Sequence, residues 1–237
     1  PYALLVLLIL GSHEMGHYLA CRFYRIPATL PFFIPGPPPL GSFGAVIRIR
    51  GIIPNRKALF DVAAAGPIAS FTIALPLLVA GISTAEPISP GVEVQGGLGP
   101  PVVIFLPAPA LGSGAALHVN SLFGAGWVGM LVTSLNLFPV GQLDGGHAAY
   151  ALSRRLHRIA AGTALIVLLA HMAAQVVVLA QFPSYLVWFV ILLWMRDRHP
   201  RLLDENAPIG LPRKLVAIAL LLIFLLSFIP GPCLIGS

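Results

Sequence analysis

His13-Glu14-Met15-Gly16-His17 follows directly on Tyr2-Ala3-Leu4-Leu5-Val6-Leu7-Leu8-Ile9-Leu10-Gly11-Ser12. Residues 2–10 are wholly apolar, and helical character continues through Leu19-Ala20. Two histidines four apart lie on one face of a helix, so both imidazoles can bind one zinc ion. The glutamate between them can serve as general base toward a water on that metal. An ionisable group near the middle of an apolar segment costs roughly 2.5–3.5 kcal/mol for Asp, Lys or Arg. Three such polar groups on one helix need a reason, and a metal supplies one.

The rest of the chain agrees with that placement. Its 237 residues are 57% hydrophobic and 9% charged, and the mean hydropathy is +0.91. This composition belongs to a polytopic membrane protein and leaves little room for a separate soluble domain. The two cysteines, Cys21 and Cys233, fall at opposite ends of the expected topology, so no disulfide is expected. A net charge of +6 raises the question of nucleic acid, but no basic stripe with interleaved aromatics accompanies it, and nucleic acid is excluded as a partner.

The apolar runs predict an all-α polytopic membrane protein with about six transmembrane segments. Spans are expected over residues 2–20, 60–82, 119–138 and 214–230, with a helical hairpin over 159–181 and 184–195. Residues 102–111 are too short and proline-broken to cross and read as interfacial. The 14 Lys and Arg fall into three clusters, residues 22–57, 154–158 and 196–214, which these spans place on one side. The opposite loop, 83–100, holds Glu86 and Glu93 and no positive residue, so the basic side reads as cytoplasmic. At 1.5 Å per residue the histidines lie roughly 15 Å along the first span, inside the hydrocarbon or at its cytoplasmic boundary.

A catalytic zinc usually takes three protein ligands and a water. The extended pattern H-E-x-x-H-x-x-G-x-x-H fails, because Ala20 and Phe23 occupy the Gly and His positions. Glu86 and Glu93 are on the wrong side; Asp197, Asp204 and Glu205 lie in a charged stretch that reads as a loop; Asp61 reads as a charge at a helix N-terminus. Asp144 remains, in Asn136-Leu137-Phe138-Pro139-Val140-Gly141-Gln142-Leu143-Asp144-Gly145-Gly146-His147, where a span is broken by Pro and Gly. Broken backbone at membrane depth is tolerated where it lines a cavity, which makes Asp144 the best candidate for the third ligand.

His13-Glu14-x-x-His17, Gly66-Pro67-x-x-Ser70 and Asn136-x-x-Pro139 with Leu143-Asp144-Gly145 together resemble the site-2 protease family of intramembrane zinc metalloproteases, peptidase family M50. The resemblance covers residues 1–153, departs at none of the key positions, and is strongest to the compact branch without a PDZ domain. It implies one catalytic zinc held by His13, His17 and Asp144, with Glu14 activating water. The substrates it implies are transmembrane proteins within the lipid bilayer, cut in or near a transmembrane helix in regulated intramembrane proteolysis. It also implies a catalytic core over 1–153, C-terminal helices over 154–237, and a bacterial plasma membrane ahead of a thylakoid or plastid one. The rival reading is a metal-ion transporter or a non-catalytic zinc-binding membrane protein.

Other residues carry a structural and a functional reading side by side. Asn136 caps freed backbone groups at the proline break or, as the resemblance implies, holds substrate backbone. His147 is a polar interfacial residue or a donor to the developing oxyanion. Gly11, Gly16, Gly66 and Ser70 are small residues for close helix packing. Residues 26–41 are too rich in proline for a helix. Phe43 to Arg50 alternates as a strand does, so a short β-hairpin within the loop 27–54 is expected at the membrane boundary near the zinc site. Such an edge could hold an unwound substrate.

Overall fold

A computed structural model describes residues 2–35, 42–86, 97–98, 101–105, 118, 120–178, 183–196, 202–230 and 233–234. The proline-rich tip 36–41, Glu93, residues 106–111 of the interfacial segment and Asp197 therefore lie outside the described residues. In chain order the elements are α1 (Tyr2–Phe23), β1 (Phe32–Pro35), β2 (Ser42–Val46), β3 (Ile53–Asn55), α2 (Arg56–Ser83), β4 (Gly97–Leu98), a 3₁₀ turn (Val102–Phe105), α3 (Ser121–Asn136), α4 (Asp144–Leu152), α5 (Arg154–Val177), α6 (Leu186–Met195), β5 (Leu202–Asp204), α7 (Leu211–Ser227) and β6 (Cys233–Leu234).

Local sequence explains where several helices begin. The Asn55 side chain accepts from the Ala58 N–H to start α2, Asn120 does the same for Phe123 at α3, and Ser153 accepts from Arg155 and Leu156 at α5. This Ser153 cap starts α5 at Arg154, five residues before the apolar run that marks it in the sequence. Among the described residues, α1, α2 and α5 are long and apolar enough to cross a membrane, with α6 a shorter apolar helix. The expectation of about six spans is thus met by three on length: α3 and α7, at 16 and 17 residues, are shorter. Leu4, Leu8, Ile166, Val167, Leu221 and Leu222 are exposed on the outer faces of α1, α5 and α7. An apolar exterior of this kind belongs in lipid, and the chain is an integral membrane protein.

Helix α2 is the central element, packed against α1, α3, α4 and α7. Its seam with α3 is made of small residues: a Cβ on Gly126 would come within 2.5 Å of the Leu78 nitrogen, and one on Gly129 within 2.6 Å of the Ala74 Cβ. Helix α1 buries one row, Ile9, His13, His17 and Cys21, spaced four apart. Gly16 lies against α2, where an added Cβ would meet the Ala65 carbonyl oxygen at 2.5 Å.

The expected hairpin is present. β1 and β2 pair antiparallel with Phe32 opposite Val46, and the ladder continues as Ala28 opposite Ile49. The stretch containing Asp204 is more than a loop, since β5 pairs in parallel with β3, Ile53 opposite Leu202 and Asn55 opposite Asp204. The basic clusters meet at one end of the bundle. Arg56 of α2 donates to the carbonyls of Ala151 and Leu152 at the C-terminus of α4, the first at 2.6 Å. Arg154 pairs with Glu205. Asp61 has a partner beyond the helix dipole: Arg213 donates to both its oxygens, at 2.9 and 2.7 Å, and Tyr24 donates to it as well. Burial and the Asp61 carboxylate push the Tyr24 phenol above its ordinary value. This cluster ties α1, α2 and α7 together.

The small-residue seam sets the first expected outcome. Gly126→Val overpacks the α2–α3 contact and lowers the thermal unfolding midpoint in detergent, at a cost of about 1–3 kcal/mol. An unchanged midpoint would show that the helices can separate there freely.

Candidate metal centre

Helix α3 ends at Asn136, and Phe138-Pro139-Val140-Gly141 turns the chain back before α4 begins at Asp144. Gly141 adopts a left-handed φ of 57°, open to glycine at little cost. The return is tight, because a Cβ on Gly145 would overlap the carbonyl oxygen of Leu137, and α4 can abut the end of α3 only with glycine there. The break places the Asp144 carboxylate at the first position of α4, facing the buried row of α1.

Two imidazoles and one carboxylate converge at that point. The Nε2 atoms of His13 and His17 are 3.1 Å apart. Asp144 Oδ2 lies 3.2 Å from the first and 3.3 Å from the second. A tetrahedral zinc with ligand bonds of about 2.0–2.1 Å places its ligand atoms about 3.3–3.4 Å apart, so the donor set fits this metal in chemistry and in spacing. Both histidines are buried, at 3% and 8% exposure, which removes competing water from their ring nitrogens. Glu14 brings a carboxylate oxygen into the same cluster, within 4.8 Å of the histidine donors. Its Oε2 accepts from the Ile47 N–H at 3.0 Å, just past β2, so the hairpin holds this carboxylate beside the three converging donors.

The far nitrogen of each histidine is also engaged. His17 Nδ1 donates to the Val62 carbonyl at 2.7 Å, and His13 Nδ1 lies 3.1 Å from Ser70 Oγ. Such partners fix ring orientation and leave Nε2 for a metal. Ser70 therefore has a polar role beside its small size, which the Gly66-Pro67-x-x-Ser70 spacing signals by placing a hydroxyl one turn from Gly66. Gly66 itself makes room for His17, since a Cβ there would overlap its imidazole.

Asn136 and His147 are both at the site. Asn136 Nδ2 is 3.4 Å from His13 Nε2, so the amide faces the centre. The turn after α3 starts with Leu137 N–H bonded to the Thr133 carbonyl. His147, one turn past Asp144, lines with it a cavity of about 520 Å³ whose opposite wall is Ile47, Ile49 and Ile52. An apolar groove of about 620 Å³ on the other face of α4, against α7, carries no histidine or carboxylate. His171 donates to the Pro230 carbonyl at 2.6 Å, away from the centre.

Comparison with known sequences agrees with this geometry. The family model for peptidase family M50 matches residues 1–179. A chloroplastic protein of Arabidopsis thaliana named "Probable zinc metalloprotease EGY2" is 33% identical over 232 residues, 95% of this chain and 40% of the relative. Its namesake in Oryza sativa subsp. indica is 32% identical over 239 residues, 97% of this chain and 42% of the relative. "Probable zinc metalloprotease EGY1, chloroplastic" of Arabidopsis thaliana is 33% identical over 240 residues, 95% and 42% of the two chains. The chain thus spans about two fifths of the length of these relatives. Zinc is the metal their names carry, and the donor set here fits it.

The position of Gly66 sets the second outcome. Gly66→Ala pushes the His17 ring out of line and lowers the zinc content of the purified protein by tenfold or more at limiting metal. Full zinc occupancy at wild-type affinity would refute the steric role.

Proposed function

The chain belongs to peptidase family M50, and on that premise we propose that it is a zinc endopeptidase of the membrane interior. It hydrolyses peptide bonds in or near the transmembrane helices of membrane-bound substrates, in regulated intramembrane proteolysis. The observation that carries the reading is the convergence of His13, His17 and Asp144 within 3.3 Å, with Glu14 beside them, on helices sunk in an apolar bundle.

His13, His17 and Asp144 hold the metal. Bound there, zinc supplies a Lewis acid that polarises the scissile carbonyl and acidifies water. Glu14 takes a proton from the attacking water and passes it to the amide nitrogen of the leaving segment as the C–N bond breaks. The Ile47 N–H on Oε2 leaves Oε1 to do this and keeps the carboxylate from swinging away. Asn136 holds the substrate backbone beside the centre, and His147 donates to the developing oxyanion from the cavity wall.

The hairpin presents the substrate. A helical peptide bond is shielded by its own hydrogen bonds and has to be unwound before attack. Arg48 and Arg50 direct their backbone groups to residues 27–29, with Thr29 N–H on the Arg48 carbonyl and Arg50 N–H on the Pro27 carbonyl. By the two-residue alternation of a strand, Ile47 and Ile49 direct theirs to the other edge, past Glu14 and along the cavity. An unwound segment added to that edge lies with its backbone beside the general base. Residues 1–153 form this catalytic core and 154–237 support it. The basic end, where Arg56, Arg154 and Arg213 meet, lies at the cytoplasmic face of a bacterial plasma membrane or its plastid counterpart.

The transporter reading asks for ionisable groups along a path across the membrane. Helix α2 carries none after Asp61 and α3 carries none at all, so no such path runs toward the far end of these two helices.

Two outcomes are expected from purified protein and a model transmembrane peptide. Glu14→Gln retains zinc and loses cleavage by about 10²–10⁴-fold or more, the usual worth of a positioned general base, whereas Asp144→Asn loses zinc. Cleavage surviving in Glu14→Gln would sink the mechanism. Ile49→Pro removes a free-edge donor and lowers kcat/KM for the helical peptide more than for an unstructured one. Equal losses on both peptides would remove strand addition from the reading.

A further inference from the structure

We infer that Ser70 and Thr133 are positioning residues for the metal centre, holding His13 through a chain of hydrogen bonds with its proton on Nδ1 and its Nε2 free for a metal shared with His17 and Asp144. The inference rests on the metal-site reading of His13 and goes beyond it to side chains on two further helices.

The chain is Gly129 carbonyl, Thr133 Oγ1, Ser70 Oγ, His13 Nδ1. Thr133 Oγ1 donates to the Gly129 carbonyl at 2.7 Å, lies 2.9 Å from Ser70 Oγ, and Ser70 Oγ lies 3.1 Å from His13 Nδ1. Ser70 and Thr133 are wholly buried, so water does not supply alternative partners. A hydroxyl has one proton to give. While Thr133 gives its proton to the Gly129 carbonyl, the shorter of its two contacts, it can only accept from Ser70. Ser70 then gives its proton to Thr133 or to the Pro67 carbonyl, 3.2 Å away, and both are acceptors. Either way Ser70 has only lone pairs left for His13, and the proton in that contact belongs to Nδ1. Reversing the last link would require Thr133 to leave the Gly129 carbonyl and turn its proton to Ser70, giving up a 2.7 Å contact for one of 2.9 Å and leaving the Pro67 carbonyl without the Ser70 proton.

The two histidines are therefore held by different means. His17 is fixed by a backbone carbonyl, Val62, which no substitution removes. His13 is fixed by side chains from α2 and α3, so its tautomer is set by residues that carry no ligand. Ser70 can turn its proton to Pro67 when Thr133 lacks its hydroxyl, which makes Ser70 the stronger member.

Zinc affinity of the full chain in detergent, measured by competition with a chromogenic chelator, tests this. Ser70→Ala is expected to weaken zinc 10–100-fold, the usual effect of losing the partner of a ligating histidine. Thr133→Val weakens it by a smaller factor, and Thr133→Ser keeps wild-type affinity. Ser70→Ala affinity within about twofold of wild type would overturn the inference. So would Thr133→Ser binding as weakly as Thr133→Val, or a lowered unfolding midpoint of metal-free Ser70→Ala with zinc affinity unchanged. If the variants weaken zinc as expected while wild type cleaves no peptide, the protease reading fails and this inference stands.

Discussion

Everything else in the structure depends on three polar groups meeting where lipid-facing helices would otherwise bury only hydrocarbon. His13 and His17 Nε2 and Asp144 Oδ2 lie within 3.3 Å of one another, inside a bundle with apolar outer faces. Such a cluster is tolerated in a low-dielectric interior only if every proton and lone pair is matched. That requirement dictates the surroundings. A backbone carbonyl faces one imidazole, a buried hydroxyl faces the other, and a strand N–H faces Glu14.

Matching polar groups at these distances requires backbones to come close, and glycine supplies the closeness. Gly16 and Gly66 bring α2 against the buried histidine row of α1, while Gly126 and Gly129 draw α3 onto α2. Gly145 lets α4 fold back on the end of α3 and delivers the carboxylate. With no water to expel between apolar helices in lipid, packing and interhelical hydrogen bonds hold the bundle, and small residues favour both. The same residues that set the fold thus set the geometry of the centre.

The hairpin joins the site to its proposed substrate. Its inner edge is closed by residues 27–29, and its outer edge carries the Ile47 N–H that touches Glu14. A single strand thereby holds Glu14 and borders the cavity beside Asp144 and His147.

Much of this was legible in the sequence. The helical spacing of His13 and His17 in an apolar run pointed to a candidate metal pair, and the proline and glycine break marked Asp144, which the fold brings beside them. The alternation from Phe43 to Arg50 announced a strand, found as Ser42–Val46 with one further bridge at Ile49. These are short-range signals, set by helix pitch, strand pleat and backbone restriction, so local sequence suffices to read them. Sequence by itself thereby determined a mostly helical membrane protein, the candidate donors and the break that brings Asp144 back to the two histidines. Tertiary structure alone decided the partners: Arg213 on Asp61 across 152 residues, Glu14 on the Ile47 N–H across 33, and Ser70 between His13 and Thr133. It also decided that β5 pairs with β3 and that, among the described residues, three helices rather than about six have the length to span. A hydrogen bond between distant segments depends on where helices cross and which way each side chain turns, and neither quantity is encoded in any local spacing of residues.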